Sequence, residues 1–363
     1  MSSARYLLIQ LKRIGDFILT APAVQALRAA RPHAEIVLLV PMQVTALAEC
    51  VPGVDRIIPY RSGRANLETW GSALAGEWEA VLDFTGTDRA ALIVQLSRAV
   101  HRLGYAKFAG HRLRRMAYTH LSEASVRDLH TVDFHLALVN ELLGQLGEHA
   151  PDPATHPEPG PALITAHALR ESMRSRLADL GVPRDARYAI IHPGTAREEK
   201  FWLDDRWAEV AAHLHDGHGL HVLLTGSGDG LEKSHLARLK TALRTPVVDL
   251  TGSCSLLETA ALIAGSQVIV GVDSMAMHLS ALQHRPQVAL FGPTNPFHWR
   301  ARMSTLWCSL QLGSCLKRCS SPRLKGEKWL QFPPGRCFRR WIRLSLDYAE
   351  GGAMLNSLAP RRQ

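Results

Sequence analysis

The sequence is short of the features that mark several common classes of protein. It has 6 cysteines in 363 residues, too few for a disulfide scaffold. No apolar run approaches the roughly 18–20 residues needed to span a bilayer. The N-terminus lacks the apolar core of a signal peptide, because Arg5, Lys12, Arg13 and Asp16 interrupt it. A cytoplasmic location is the resulting expectation. What is present suits a folded globular chain: 46% apolar and 21% charged residues. At roughly 100–200 residues per domain, the length predicts two domains.

The net charge of +9 would suggest nucleic acid if it were spread evenly. It is not. Residues 300–363 carry 13 basic and 3 acidic side chains, while the other 299 carry 29 and 30. The excess is one C-terminal patch, and no nucleic-acid-binding motif accompanies it.

Short apolar runs alternate with helix-like stretches. Tyr6–Ile9, Glu35–Val40 and Ala80–Phe84 read as buried strands in a first domain, residues 1–150. Five prolines between Pro151 and Pro161 exclude a helix or central strand there, so 151–162 reads as a linker. Beyond it Tyr188–Ile191, His221–Leu224, Pro246–Val248, Val268–Val270 and Val288–Phe291 resume the alternation, giving a second domain over 163–338. Residues 339–363 would form a terminal helix or tail packing back on the first domain. Continuous apolar strands separated by helices predict an α/β protein of two doubly wound parallel sheets. Ligands in such folds bind at the carboxyl ends of strands, here also between the domains.

Four motifs sit at such ends. Gly15-Asp16 follows the first strand; the glycine predicts a sharp turn, and the carboxylate is a candidate general base. Thr20-Ala21-Pro22 reads as the cap and first turn of the following helix. His192-Pro193-Gly194-Thr195, with Lys200 beyond it, offers backbone N–H groups, a hydroxyl and a point charge to an anion. Gly226-Ser227-Gly228-Asp229-Gly230 is a glycine-rich turn before a helix, but it completes neither a dinucleotide fingerprint nor a P-loop. Asp273-Ser274, with His278 one turn on, opens a helix whose N-terminus favours a diphosphate.

The order and spacing of these motifs, together with Asp249-Leu250-Thr251-Gly252 and Phe291-Gly292-Pro293-Thr294, resemble the ADP-heptose:lipopolysaccharide heptosyltransferases, glycosyltransferase family 9. The resemblance covers roughly residues 5–300. It implies a GT-B fold, two Rossmann-like domains facing across a cleft. It also implies inverting transfer of a heptose from ADP-heptose to a sugar hydroxyl of the lipopolysaccharide inner core. Asp16 takes the place of the family's base. Gly194, Thr195, Lys200, Gly226, Asp273, Ser274 and His278 take the places of its donor-binding residues. No cofactor or metal is implied, and no carboxylate cluster calls for one.

Two departures stand out: Met275 where the family usually has glycine, and Lys12-Arg13 where small or polar residues precede Gly-Asp. Lys12 and Arg13 would lower the pKa of Asp16 or contact an acidic acceptor. The acceptor implied is a lipid A-core molecule at the inner leaflet, with an anionic membrane surface as a second partner, making the enzyme peripheral there. Between His101 and Tyr118 there are five basic residues and no acid, among them Arg112 and Arg115. That segment is a candidate acceptor-facing surface. Cys308, Cys315, Cys319 and Cys337 match no standard zinc spacing. Rival readings are another GT-B sugar-nucleotide enzyme and a non-catalytic sugar-nucleotide-binding protein.

Overall fold

The computed structural model describes residues 4–61, 66–110, 112–148 and 161–301, with 310–311, 314–315, 342–343 and 346. Most of the 151–162 linker and of the 339–363 tail lies outside these residues, as do Cys308, Cys319, Cys337 and the side chain of Cys315. The chain divides into two compact units, Met1–Ile164 with Phe297–Trp299, and Thr165–Pro296 with Arg300–Gln363.

The first unit is built on β1 (Arg5–Ile9), β2 (Glu35–Pro41), β3 (Arg56–Tyr60), β4 (Ala80–Asp83), β5 (His101–Tyr105) and β6 (His120–Ser122). Their order is β3-β2-β1-β4-β5-β6 and every pairing is parallel. Parallel strands need crossover connections, which cover both faces, so β1 and β4 are buried almost throughout. On one face Leu7, Ile9, Val37, Leu39 and Val81 pack with Ile93 and Val94 of the helix Asp88–Leu96. The strand order reverses between β1 and β4, where Ile9 pairs with Asp83. Ligands collect outside the carboxyl ends of strands at such a reversal.

The helix after β1 corrects two expectations. It runs from Ile14 to Ala30, so Pro22 lies inside it and does not open it. Proline removes the bond to the carbonyl four residues back. Tertiary packing of Phe17, Ile18, Val24 and Leu27 outweighs that loss. Gly15 makes no sharp turn; it sits in the first helical turn, where an added Cβ would meet nothing within 4 Å. The basic stretch at 101–118 is also not one solvated surface. It contains the strand β5. The Arg102 guanidinium donates to the carbonyls of Ala99 and Ala117, both at 2.8 Å. Arg114 pairs with Asp88 and donates to the carbonyls of Gly86 and Phe108. Both arginines are structural, while Arg112 and Arg115 stay exposed on the short helix Arg112–Arg115.

The second unit has β7 (Tyr188–His192), β8 (His221–Leu224), β9 (Val247–Asp249), β10 (Val268–Val272) and β11 (Gln287–Leu290). Their order is β11-β10-β7-β8-β9, again parallel throughout. Its core includes Trp207, Val210, Val222, Val268 and Val270, joined by Ile342 and Leu346 from the C-terminal segment. Here the reversal falls between β7 and β10. Gly271 pairs with His192, which sets the loop after β7 beside Asp273 and Ser274.

Candidate functional site

In the first unit, Asp16 occupies the first turn of the helix Ile14–Ala30, where the macrodipole favours a negative charge. Burial pushes its carboxyl above the usual range, while Lys12 and Arg13 pull it back. Lys12 is itself half-buried. Burial lowers its pKa, Asp16 and Asp83 oppose that, and Lys107 adds to it. The Lys12 ammonium lies 4.4 Å from the centre of the Phe108 ring, and that of Lys107 lies 5.6 Å from it.

The loop carrying Lys12 is tied down on two sides. Leu11 N–H donates to the Thr85 hydroxyl at 2.8 Å, and Lys12 N–H donates to the Gln10 side chain at 3.3 Å. Gln10 in turn donates to Thr20 at 3.0 Å, and the Thr20 hydroxyl donates to the Asp16 carbonyl at 2.9 Å. Sequence reading missed Asp83, the last residue of β4. It is fully buried and accepts from Tyr118 Oη at 2.7 Å and from the N–H groups of Thr85 and Gly86. An acidic residue ending an otherwise apolar strand was the available signal. Arg13 is exposed beside this group.

In the second unit, Lys200 and Asp273 form an ion pair with Nζ–Oδ2 at 2.7 Å, the side chains being 14% and 7% exposed. A second Lys200 N–H reaches the Asp273 carbonyl at 3.2 Å, leaving one of its three donors for another acceptor. Ser274 is the N-cap of the helix Met275–Leu282, yet its hydroxyl makes no capping bond. Ser274 Oγ and His278 Nδ1 are both buried without a partner among the described residues. Burial lowers the pKa of His278, with Asp273 opposing and Lys200 adding to that shift. Buried polar groups are rarely left unpaired, so this pair beside a helix N-terminus favours a bound anion.

Gly194 and Gly226 meet across another missed residue, Glu232. This buried carboxylate accepts from Ser227 N–H at 3.1 Å and from the Ser227 hydroxyl. A Cβ at either glycine would meet the Glu232 carboxylate, so a larger residue in either loop would displace that side chain. His192 Nδ1 lies 2.9 Å from the Thr225 hydroxyl, linking the ends of β7 and β8. Thr195 is half-buried in the loop after β7.

The family model of glycosyltransferase family 9 (heptosyltransferase) matches residues 69–328. The chain belongs to glycosyltransferase family 9. Lipopolysaccharide heptosyltransferases 3 and 1 of Escherichia coli K12 are 25% and 26% identical to it, over 79% and 80% of this chain and 82% and 89% of theirs. The structure of the E. coli ADP-heptose lipopolysaccharide heptosyltransferase II superposes with a TM-score of 0.73 at 22% identity, covering 95% of this chain and 99% of that one. The fold is therefore GT-B, two Rossmann-like α/β units, and the protein is a glycosyltransferase. The family 9 match begins after β1, so Asp16 lies outside it.

Two buried histidines give this family 9 chain a pH-dependent stability. Burial holds the imidazoles of His135 and His192 down to about 4. His135 Nδ1 lies 3.1 Å from the Leu19 carbonyl, an acceptor only, so that nitrogen carries the hydrogen. In the unfolded chain both rings titrate near 6.5. Above that pH both states are neutral and the stability is intact. As pH falls from about 6.5 to 4 only the unfolded chain takes up protons, costing up to about 3 kcal/mol per ring. Thermal unfolding between pH 7.5 and 4.5 should show this fall, and a His135→Gln/His192→Gln variant should show a shallower one. No helix among the described residues is long and apolar enough to cross a membrane. No group of three metal-ligating side chains occurs among them either.

Proposed function

We propose that the protein is an inverting heptosyltransferase, moving a heptose from ADP-heptose to a sugar hydroxyl of a lipid A-core acceptor at an anionic membrane surface. The observation that carries this is the second unit's group of Lys200, Asp273, Ser274 and His278 at the reversal between β7 and β10. Support comes from the family and from relatives named for lipopolysaccharide heptosyl transfer and for ADP-heptose. Gly194, Thr195 and Gly226 line the loops beside that group, and Lys200 and Ser274 donate to the diphosphate. Asp273, a carboxylate where an anion must bind, is neutralised by Lys200 and holds its ammonium in place.

Asp16 accepts the proton of the acceptor hydroxyl as its oxygen attacks the anomeric carbon. The bond to ADP breaks on the opposite face, through an oxocarbenium-like transition state, and ADP departs with the electron pair. Its new charge meets the remaining Lys200 donor, the Ser274 hydroxyl and the helix N-terminus. Lys12 and Arg13 oppose the rise that burial gives the Asp16 carboxyl and face an acidic acceptor, with Arg112 and Arg115 as further acceptor contacts.

Calorimetric titration with ADP tests the donor half. Ser274→Ala should weaken ADP binding about ten-fold, the worth of one hydrogen bond to a charged group. Its melting temperature should hold or rise, because the hydroxyl has no partner among the described residues. Unchanged ADP affinity would remove Ser274 from the site.

A further inference from the structure

Four of the eleven large apolar side chains exposed among the described residues fall between Leu92 and Met116. Leu92 and Leu96, 50% and 46% exposed, lie one turn apart on the helix Asp88–Leu96, on the side away from Ala90, Ala91, Ile93 and Val94. Val100 and Met116 are 70% and 64% exposed. The structure brings these two strips together. The Arg102 guanidinium joins the carbonyl of Ala99, beside Val100, to that of Ala117, beside Met116. Arg114 ties the start of the helix, Asp88, to the segment that ends at Met116. The face is framed by exposed arginines: Arg89 and Arg98 on and after the helix, Arg112 and Arg115 beside Met116. The acid at its edge, Asp88, is taken up by Arg114.

We infer that this face docks on an anionic lipid leaflet, Leu92, Leu96, Val100 and Met116 entering the interface while the arginines meet the headgroups. An apolar strip rimmed by basic side chains is the composition that interfacial binding requires. Each basic group near an anionic surface is worth about five-fold in partition, and added salt weakens it. A second copy of the chain fits the face poorly. A two-fold contact would set the same arginines against one another, with no free carboxylate among the described residues of the face to receive them. The inference rests on the reading of the acceptor as membrane-bound, and it assigns that contact to one surface of the first unit.

Co-sedimentation of the full chain with vesicles tests it. Vesicles of phosphatidylethanolamine with phosphatidylglycerol should bind the wild type at least ten-fold better than phosphatidylcholine alone. Leu92→Ser/Leu96→Ser should cut that partition about ten-fold and Arg89→Glu/Arg98→Asn at least about 25-fold, about five-fold for each arginine lost, with unchanged circular dichroism and melting temperature. Asn suits position 98, whose φ is +54°. Both variants should keep wild-type transfer to a delipidated, soluble core acceptor. Wild-type partition in both variants would overturn the inference and assign the binding to the basic C-terminal segment. A wild-type dimer in sedimentation velocity that Leu92→Ser/Leu96→Ser makes monomeric would overturn it in favour of a second copy. Loss of the function reading shows separately, as no transfer by wild type to the soluble acceptor.

Discussion

Asp16→Asn should lower kcat for transfer roughly a thousand-fold, within the span that a positioned general base contributes. ADP affinity should stay within about two-fold, since Asp16 belongs to the first unit and the proposed donor residues to the second. The substitution keeps the shape of the side chain and removes only its basicity. Stability should change little, because the lost charge at the helix N-terminus, about 0.3–1 kcal/mol, is opposed by relief of the carboxylate's burial. The environment of Asp16 adds a pH signature. Burial raises its carboxyl and Lys12 is the largest opposing influence. In Lys12→Met that opposition is gone, the carboxyl titrates at higher pH, and less base is available in mild acid. The acid limb of kcat/KM should therefore move to higher pH in Lys12→Met while the plateau at pH 8 changes less. A limb that stays in place would show that Lys12 does not tune the base.

Lys200→Ala should be the most damaging change on the donor side. It removes a charge-assisted donor to the diphosphate and strands the Asp273 carboxylate, 7% exposed, where the anion must approach. The two effects together should weaken ADP binding about 100-fold. Stability should fall by about 3 kcal/mol, because removing one partner of a buried pair leaves an uncompensated charge. The double variant Lys200→Ala/Asp273→Ala separates these contributions. It removes the stranded carboxylate, so stability should largely return while ADP affinity stays low. Asp273→Ala alone should lose stability and keep much of its ADP affinity. Chemical denaturation and ADP titration of all three variants complete the cycle. Equal ADP affinity in wild type and Lys200→Ala would take Lys200 out of the donor site.

The central strands were legible because buried parallel strands are continuous apolar runs; Tyr6–Ile9 and Val268–Val270 needed no other signal. The strand β5 was not. His101 and Arg102 break its apolar pattern, and only the structure shows Arg102 bonded to two backbone carbonyls. The helix start at Ile14 was hidden because Thr20-Ala21-Pro22 imitates an N-terminus, and packing that overrides Pro22 is a tertiary effect. Motifs at strand ends singled out Asp16, Lys200, Asp273, Ser274 and His278 as candidates. Pairing among them was not readable: the Lys200–Asp273 contact joins residues 73 apart in sequence. Asp83 and Glu232 escaped because their roles lie in what they hold, the turn after β4 and the glycine loops, which spacing along the chain does not encode.

Transfer itself is the decisive measurement. The purified full chain is incubated with ADP-heptose and a panel of truncated core acceptors, and released ADP and extended glycolipid are both quantified. The expected result is acceptor-dependent ADP release matched one for one by product, abolished in Asp16→Asn and strongly reduced in Lys200→Ala. Tight ADP-heptose binding with no product on any acceptor, or full activity in Asp16→Asn, would contradict it.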